Sequence, residues 1–194
     1  HFIITRAPGD APDPDRHALE YAVSTIIRTW HDALSEQLAI GHEPEKAVSL
    51  FERYREAFPA GYRARYSPAV AIEDIRTIES LSAERPLSVE FYAPTDGNRS
   101  ASGLKVWSFG RPIPLSERVP ILENMGFRVV DESTFDISTD DDPDTDVWLH
   151  DMMLERADGG AVDLRRLKQA LESCFLVVMR GVAENDGYNA LVLG

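Results

Sequence analysis

An acidic run near residue 140 holds the most conspicuous set of potential metal ligands in the sequence. Its aspartates occupy alternate positions, and Asp151 is the twelfth residue counted from the first of them. They are Asp140, Asp142, Asp144 and Asp146. Calcium-binding loops use this spacing because hard oxygen ligands must converge on one ion. Thr145 stands where such loops have glycine, and Pro143 restricts the turn, so the pattern favours a solvated hairpin tip at 140–146.

The histidines form no motif. His31 and His42 lie on or beside one predicted helix, eleven positions apart. His150 and Asp151 are adjacent in a predicted strand, where neighbouring side chains point to opposite faces. We therefore interpret the histidines as isolated structural or surface residues and predict no metal site.

Cys174 is the only cysteine and lies between Leu171 and Phe175 on the last predicted helix. A nucleophilic cysteine needs a positioned base and an electropositive setting, which the sequence does not supply. Core packing is the preferred interpretation. A single cysteine excludes an internal disulfide and fits a reducing compartment, so we predict a cytoplasmic protein.

Glycine patterns give no cofactor site. Gly97, Gly103 and Gly110 are too scattered for a dinucleotide-binding turn, and there is neither a phosphate loop nor a serine elbow. Asp10, next to Gly9, would suit a small ligand at the end of the first strand, but an ordinary turn explains it better. We predict no catalytic, cofactor or metal residues, and the ligand-binding residues stay unknown.

Trp107, Phe109 and Trp148 are predicted to share one face of a sheet. Stacking on nucleic acid is one use of such a face. A net charge of −13 opposes it, and it also opposes docking on anionic membranes. A protein interface and burial under helices both remain open for these aromatic residues.

The chain of 194 residues, 43% of them hydrophobic, is long enough for a real core, and no apolar run approaches the length needed to span a bilayer. It opens on His1 as though a strand were already under way, and it closes without a polar tail. We expect a piece of a longer polypeptide.

Hydrophobic periodicity and breakers predict the elements in order. They are a strand over 1–6, a long helix from Pro14 to about Ala39, helices over 44–58 and 67–81, a hairpin over 87–109, a helix over 115–125, strands over 127–137 and 147–156, and a helix over 163–181 that Asp163 caps. In the second helix, Val48, Phe51, Tyr54 and Phe58 are expected inside, and Pro59 and Gly61 are expected to break the chain.

The helix at 115–125 belongs to the stretch Arg111–Glu132, in which a turn, a helix, a glycine stop and a strand follow each other. Ser116 is predicted to cap it, and Gly126 to end it. Its apolar stripe is predicted to be Leu115, Val119 and Leu122, with Ile121 and Met125 at the edge.

Two hairpins on either side of a helix favour an antiparallel sheet with helices on one face. The predicted class is therefore α+β. We expect one domain over 1–194, with a core at 86–156, a helical insert at 14–81 and a C-terminal helix at 163–181.

Several runs resemble the large bacterial NAD-specific glutamate dehydrogenases. These runs are Arg28–Leu34, Phe51–Tyr62, Gly110–Val129, Trp148–Asp151 and Ala183–Leu193. They follow the family order and cover nearly the whole chain. The resemblance implies an ACT-like (ferredoxin-like) regulatory module that precedes the catalytic domain, so the family's NAD and glutamate sites would lie elsewhere.

The resemblance also implies partners. Neighbouring modules and subunits of the same enzyme are expected to contact this region, in a homo-oligomer, with an amino-acid effector as a further possibility. The long insert at 14–81 departs from a minimal ACT module, so no effector residues are carried over. The alternatives are a free-standing amino-acid-sensing module and, least favoured, a metal-dependent enzyme built on the acidic loop.

Overall fold

A computed structural model describes residues 29–94, 100–139 and 145–194. Its sheet has four strands in the order β1-β2-β4-β3, and every neighbouring pair is antiparallel. The strands are β1 (Leu87–Tyr92), β2 (Ala101–Phe109), β3 (Phe127–Ile137) and β4 (Val147–Arg156). The predicted strand over 1–6, most of the predicted long helix, and Asp10 lie outside the described residues.

The order of the strands produces a split β-α-β unit. Strands β2 and β3 both pair with β4, so they are parallel to each other with β4 between them. Helix α5 (Leu115–Asn124) connects them, as in ferredoxin-like folds. The sheet and its helices confirm the predicted α+β class.

A β-bulge reverses the alternation of strand β3. The register with β4 shifts between Val129 and Asp131, which leaves Val130 as the extra residue, with 58% of its surface exposed. Before the bulge, Phe127 and Val129 contact the core on one face of the sheet. After it, Phe135 and Ile137 contact the core on the other face, although all four positions are odd-numbered.

Helices α5 and α6 (Leu164–Met179) cover one face of the sheet. The apolar core on this face includes Phe91, Leu104, Leu122, Phe127, Leu171 and Phe175. The side chain of Asp163 accepts a hydrogen bond from the Arg165 amide at 3.1 Å, which confirms the predicted cap. On the same helix, Glu172 accepts from the Phe91 amide at 3.0 Å and so occupies a donor on the outer edge of β1.

The other face is covered by four helices, which we call the helical segment. They are α1 (Trp30–Gly41), α2 (Pro44–Tyr54), α3 (Ala60–Arg65) and α4 (Pro68–Ile78). Their core residues include Leu34, Leu38, Tyr54, Phe58, Tyr62 and Ile75, packed against Trp107 and Leu149 of the sheet. The inward apolar positions of α4 are Ala71, Ile75 and Ile78.

The structure corrects three predictions about the helical segment. Thr29 is extended and forms a capping box with Asp32, so α1 begins at Trp30 and is not continuous from Pro14. Val48 on α2 is 64% exposed, whereas Leu50 is buried. Pro59 is extended and interrupts the helices as predicted, but Gly61 does not, because it lies inside α3, a helix that the prediction omitted.

Helix α5 also differs from its prediction. Its N-cap is Pro114 without a side-chain hydrogen bond, and Ser116 lies inside the first turn. Leu115 is 47% exposed, while Ile121, Leu122 and Met125 are buried. The buried stripe is therefore rotated by about one position from the predicted one, because Arg118 takes an inward place.

A glycine ends each of the helices α5 and α6, as predicted. Gly126 has a φ of +85°, and Gly181 has a φ of +66°. Beyond Gly181, a 3₁₀ helix (Gly187–Leu193) packs Leu193 over Gly126. The described helices include none that is both long and apolar enough to cross a lipid bilayer.

Candidate functional site

Polar side chains from the helical segment and from the sheet meet at the interface between them, in what we call the tyrosine–aspartate network. Tyr62 and Arg65 belong to helix α3, Tyr66 follows the end of α3, and Asp74 belongs to α4. Its members from the sheet are Tyr92, Lys105 and Asp151.

Aromatic packing fixes the residues from the helical segment. The Tyr62 ring stacks on Phe58 with 4.5 Å between ring centroids, and it lies 4.7 Å from the Tyr66 ring. Phe135 of the sheet meets Tyr62 and Tyr66 edge to face. Asp74 lies one turn from Ala71 and Ile78, so helix α4 points its carboxylate at the sheet among apolar neighbours.

The alternation of the strands brings the other members onto one face. Lys105 on β2 lies directly opposite Asp151 on β4 and Glu90 on β1. Tyr92 reaches Asp151 by crossing β2 at Gly103, where a Cβ atom would lie 2.0 Å from the ring. Only glycine leaves room for that ring at this position.

Asp74 and Lys105 form the centre of the network. The Lys105 Nζ lies 2.7 and 2.9 Å from the two oxygens of Asp74, and the Tyr62 hydroxyl donates to the same carboxylate. The ammonium group also lies 4.7 Å from the centroid of the Tyr66 ring. Both side chains are buried, so this is a desolvated ion pair with its hydrogen bonds satisfied.

Asp151 is the second anionic centre. One of its oxygens accepts from the Tyr66 hydroxyl, and the other accepts from the Tyr92 hydroxyl at 2.8 Å. The Arg65 guanidinium lies 3.6 Å from the same carboxylate and donates to Ser133 at 2.7 Å. Asp151 thus joins the helical segment to strands β1 and β3.

Burial determines the protonation states in the network. Burial, with the Asp74 carboxylate beside it, raises the pKa of Tyr62 well above its usual range. Burial and Asp151 raise the pKa values of Tyr66 and Tyr92 in the same way, so all three hydroxyls remain donors. Burial also raises the pKa of Asp74, although Lys105 and Tyr62 oppose that shift.

A cavity of about 770 Å³ opens beside this network. Its walls include the side chains of Tyr66, Tyr92, Val70 and Met153, and its polar lining includes Arg65, Lys105, Asp74 and Asp151. The volume falls within the range of small-molecule sites. A mostly apolar cavity with a few convergent charged groups is suited to binding a small molecule.

A second polar cluster lies on the opposite face of the sheet, around Arg118 of α5. The Arg118 guanidinium contacts the Glu132 carboxylate at 3.2 Å, and the Thr134 hydroxyl donates to the same oxygen at 2.5 Å. The His150 Nε2 accepts from the Ile113 amide at 3.0 Å, so its Nδ1 carries the proton and donates to Thr134 at 2.8 Å.

His150 is held neutral by this arrangement. Burial and the neighbouring Arg118 charge lower its pKa to about 4, and Glu132 only partly opposes the shift. Together the two clusters hold strand β3 from both sides. Arg65 contacts Asp131 and Ser133 on one face, and Arg118 contacts Glu132 on the other.

Comparison with known proteins matches two consecutive parts of the chain. Residues 37–81 match the family model for glutamate dehydrogenase helical motif 2, and residues 86–167 match the model for the glutamate dehydrogenase ACT3 domain. The NAD-specific glutamate dehydrogenase of Pseudomonas aeruginosa is 33% identical over 192 residues, which is 99% of this chain. The chain belongs to the NAD-specific glutamate dehydrogenase family.

Other NAD-specific glutamate dehydrogenases align over the same region. The protein of Halomonas elongata is 32% identical over 99% of this chain, and that of Mycobacterium tuberculosis is 27% identical over 74% of it. The chain spans 12% of the length of the Pseudomonas and Halomonas proteins and 8% of that of the Mycobacterium protein. The match to the ACT3 domain confirms the predicted ACT-like class.

The tyrosine–aspartate network crosses the boundary between the two glutamate dehydrogenase models. Tyr62 and Asp74 fall within helical motif 2, whereas Lys105 and Asp151 fall within the ACT3 domain. The polar contacts described above therefore connect two recognised parts of this family.

The acidic run gives no metal site among the residues that the structure describes. Asp140, Asp142 and Asp144 lie outside them. Asp146 is buried, and Asp151, at the predicted twelfth position, lies inside β4 with both oxygens bound to tyrosines. Across the described ranges, no group of three or more His, Cys, Asp or Glu residues converges on a point.

The structure places the described histidines apart from one another and Cys174 beside the core. His150 and Asp151 point to opposite faces, and His31 accepts a hydrogen bond from Arg63 at 3.1 Å rather than meeting His42. Cys174 packs beside the core of the ACT3 domain, and burial raises the pKa of its thiol, which makes it less reactive.

The aromatic prediction is partly wrong. Trp107 and Phe109 share a face, where Trp107 is buried under the helical segment. Trp148 points to the opposite face, because Trp107 pairs with Leu149 rather than with Trp148.

The sequence interpretation missed the tyrosine–aspartate network. One signal was available: Asp74 interrupts the apolar face of α4, among Ala71, Ile75 and Ile78. A charged residue in an apolar face predicts a partner across the interface.

Proposed function

We propose that this chain is a non-catalytic regulatory or assembly segment of an NAD-specific glutamate dehydrogenase. The reaction of the whole enzyme would be the oxidative deamination of L-glutamate to 2-oxoglutarate and ammonia with NAD. The observation that supports this proposal is the match of residues 86–167 to the ACT3 domain, in relatives whose length is mostly made of other regions. NAD would bind in a catalytic domain outside this segment.

The tyrosine–aspartate network suits such a role. Its charged groups are paired with each other at short distance, as in a structural junction, and its tyrosine hydroxyls act as hydrogen-bond donors. A junction between a helical motif and an ACT3 domain is a suitable place to pass a change of shape between neighbouring modules and subunits of a homo-oligomer. We also propose that the enzyme is cytoplasmic.

The test is a set of conservative substitutions in the full-length enzyme. Tyr66→Phe, Tyr92→Phe and Asp151→Asn remove the acid and base groups of the network with little change in shape. We expect kcat/KM for glutamate at saturating NAD to stay within about twofold of wild type, because these groups touch no reacting atom. The subunit assembly, measured by mass photometry, or the response of activity to amino acids is expected to change.

A loss of kcat/KM of more than a hundredfold, with assembly and melting temperature unchanged, would contradict the proposal. Glu117→Gln, on the exposed side of α5, is a matched control for a lost carboxylate.

A second candidate is a free-standing amino-acid-sensing module. The cavity of about 770 Å³ favours it, since that volume accommodates an amino acid. Calorimetry of the chain with glutamate and the other amino acids tests it directly, and the absence of heat across the set would exclude it.

A further inference from the structure

We propose that the cavity beside the tyrosine–aspartate network binds an organic cation, with an ammonium, amidinium or guanidinium group on an apolar body. The cation would lie between Glu73 of α4 and Glu90 of β1, and the apolar body would occupy the space beside Tyr66 and Tyr92. This inference needs only the cavity, and it stands whether or not the segment regulates glutamate oxidation.

The position of the two glutamates is the first argument. A smaller cavity of about 320 Å³ shares two lining residues with the main cavity. These residues are Glu73 and Glu90. The two carboxylates therefore flank the place where the two cavities meet, one from the helical segment and the other from the sheet.

Charge is the second argument. The lining of the main cavity holds the carboxylates of Asp74, Asp151, Glu73 and Glu90 but only two cations, Lys105 and Arg65. Lys105 is bound to both oxygens of Asp74, and Arg65 lies against Asp151 and Asp131. The charge left over in the lining is negative and belongs to the two glutamates, so an anionic ligand would be repelled.

The present partners of the glutamates are easily exchanged. Glu73 contacts Arg76 and Glu90 contacts Lys168, and both of these cations line the smaller cavity rather than the main one. The glutamate side chains are 64% and 45% exposed in these pairs. Exposed ion pairs contribute little, so a ligand cation can replace Arg76 or Lys168 at small cost.

The walls supply the rest of the recognition. The rings of Tyr66 and Tyr92, with Val70 and Met153, offer an apolar and aromatic surface. Such surfaces accept the body of a ligand and attract a nearby cation through the ring faces. The combination of two exposed carboxylates and aromatic walls selects a cation that carries an apolar group.

The experiment uses the full 194-residue chain and a matched pair of probes, benzamidine and benzamide, which share a body and differ in charge. Binding is measured by calorimetry and by NMR shifts of the amides around the cavity. We expect benzamidine to bind roughly tenfold more tightly than benzamide at low salt, with the difference shrinking as salt is added.

Substitutions locate the site. Glu73→Gln and Glu90→Gln are each expected to weaken benzamidine several-fold and to leave benzamide unchanged, since both side chains are partly exposed and the fold does not depend on them. Ala69→Phe, which adds a ring at an exposed residue of the lining, is expected to weaken both probes. Glu117→Gln is the control.

Equal affinity for the two probes would overturn the proposal. So would a preference for benzamidine that survives in the Glu73→Gln/Glu90→Gln double variant, because the cation would then be held elsewhere. If the binding result holds while the full-length enzyme variants of the network change kcat/KM, the proposed function fails and this inference remains.

Discussion

The Lys105 Nζ on the central strand β2 lies 2.7 and 2.9 Å from the two carboxylate oxygens of Asp74 on helix α4. This pair is one of the polar links between the helical segment and the sheet, and both of its side chains are less than a tenth exposed. A buried ion pair is costly to break but not always costly to replace.

Breaking the pair is expected to destabilise the chain strongly. Asp74→Ala leaves the Lys105 ammonium buried without its partner, which should lower the free energy of unfolding by about 3–5 kcal/mol. Chemical denaturation of the chain measures the loss. The exposed pair Glu73–Arg76 is the control, and Arg76→Ala should cost less than about 1 kcal/mol.

Replacing the pair as a unit is expected to restore stability. The triple variant Asp74→Leu/Lys105→Met/Tyr62→Phe removes both charges and the hydroxyl that would otherwise lose its acceptor. We expect it to recover most of the loss seen in Asp74→Ala, because apolar residues of similar volume satisfy a buried site. A triple variant less stable than Asp74→Ala would show that the site is not truly desolvated.

Gly103→Ala tests the crossing of Tyr92 over β2. The added Cβ would lie 2.0 Å from the ring, so the ring must move and its bond to Asp151 must break. We expect a loss of about 1–3 kcal/mol in the free energy of unfolding. Tyr92→Leu should cost less in the Gly103→Ala background than in wild type, and strict additivity of the two costs would contradict the steric explanation.

His150 predicts a dependence of stability on pH. Its pKa is about 4 in the folded chain against 6.5 as the ordinary value. The unfolded chain therefore takes up a proton first as the pH falls. Its contribution, about 3 kcal/mol, is complete above pH 6.5 and is lost between there and pH 4.

The measurement is the free energy of unfolding across that range. His150→Gln should flatten the slope between pH 6.5 and 4. An unchanged slope in His150→Gln would show that other groups produce the pH dependence.

Glu172→Ala tests the protection of the sheet edge. The Phe91 amide would lose its acceptor, and the outer edge of β1 would present a free donor. We expect a loss of about 1 kcal/mol and more aggregation on heating, followed by light scattering. Glu184→Ala, on an exposed loop, should aggregate as wild type does.

Local patterns were enough to predict several elements. Strand β4 was predicted at its observed bounds, and α6 carries both a capping aspartate and an apolar stripe that could be read from the sequence. Thr29 shows the limit of this approach. An apolar stripe continues across it, and only the capping box with Asp32 decides that the helix begins there.

Contacts between distant residues were beyond such patterns. Lys105 and Asp74 are 31 positions apart, and no local rule connects them. The sequence does not indicate the bulge at Val130 either, because simple alternation would place Phe127 and Phe135 on the same face of the sheet. The face of Trp148 depended on the pairing of β2 with β4, which the sequence does not specify.

Arg65 and Arg118 contact β3 from its two faces and together fix its register against β4. Arg65 contacts Asp131 and Ser133 on one face of the sheet, and Arg118 contacts Glu132 on the other. Consecutive residues of the edge strand β3 are therefore bound from opposite faces. A slip of β3 by a single residue would turn Glu132 away from Arg118 and leave that guanidinium buried without an anion. Strand β3, at one edge of this sheet, is therefore resistant to sliding along β4.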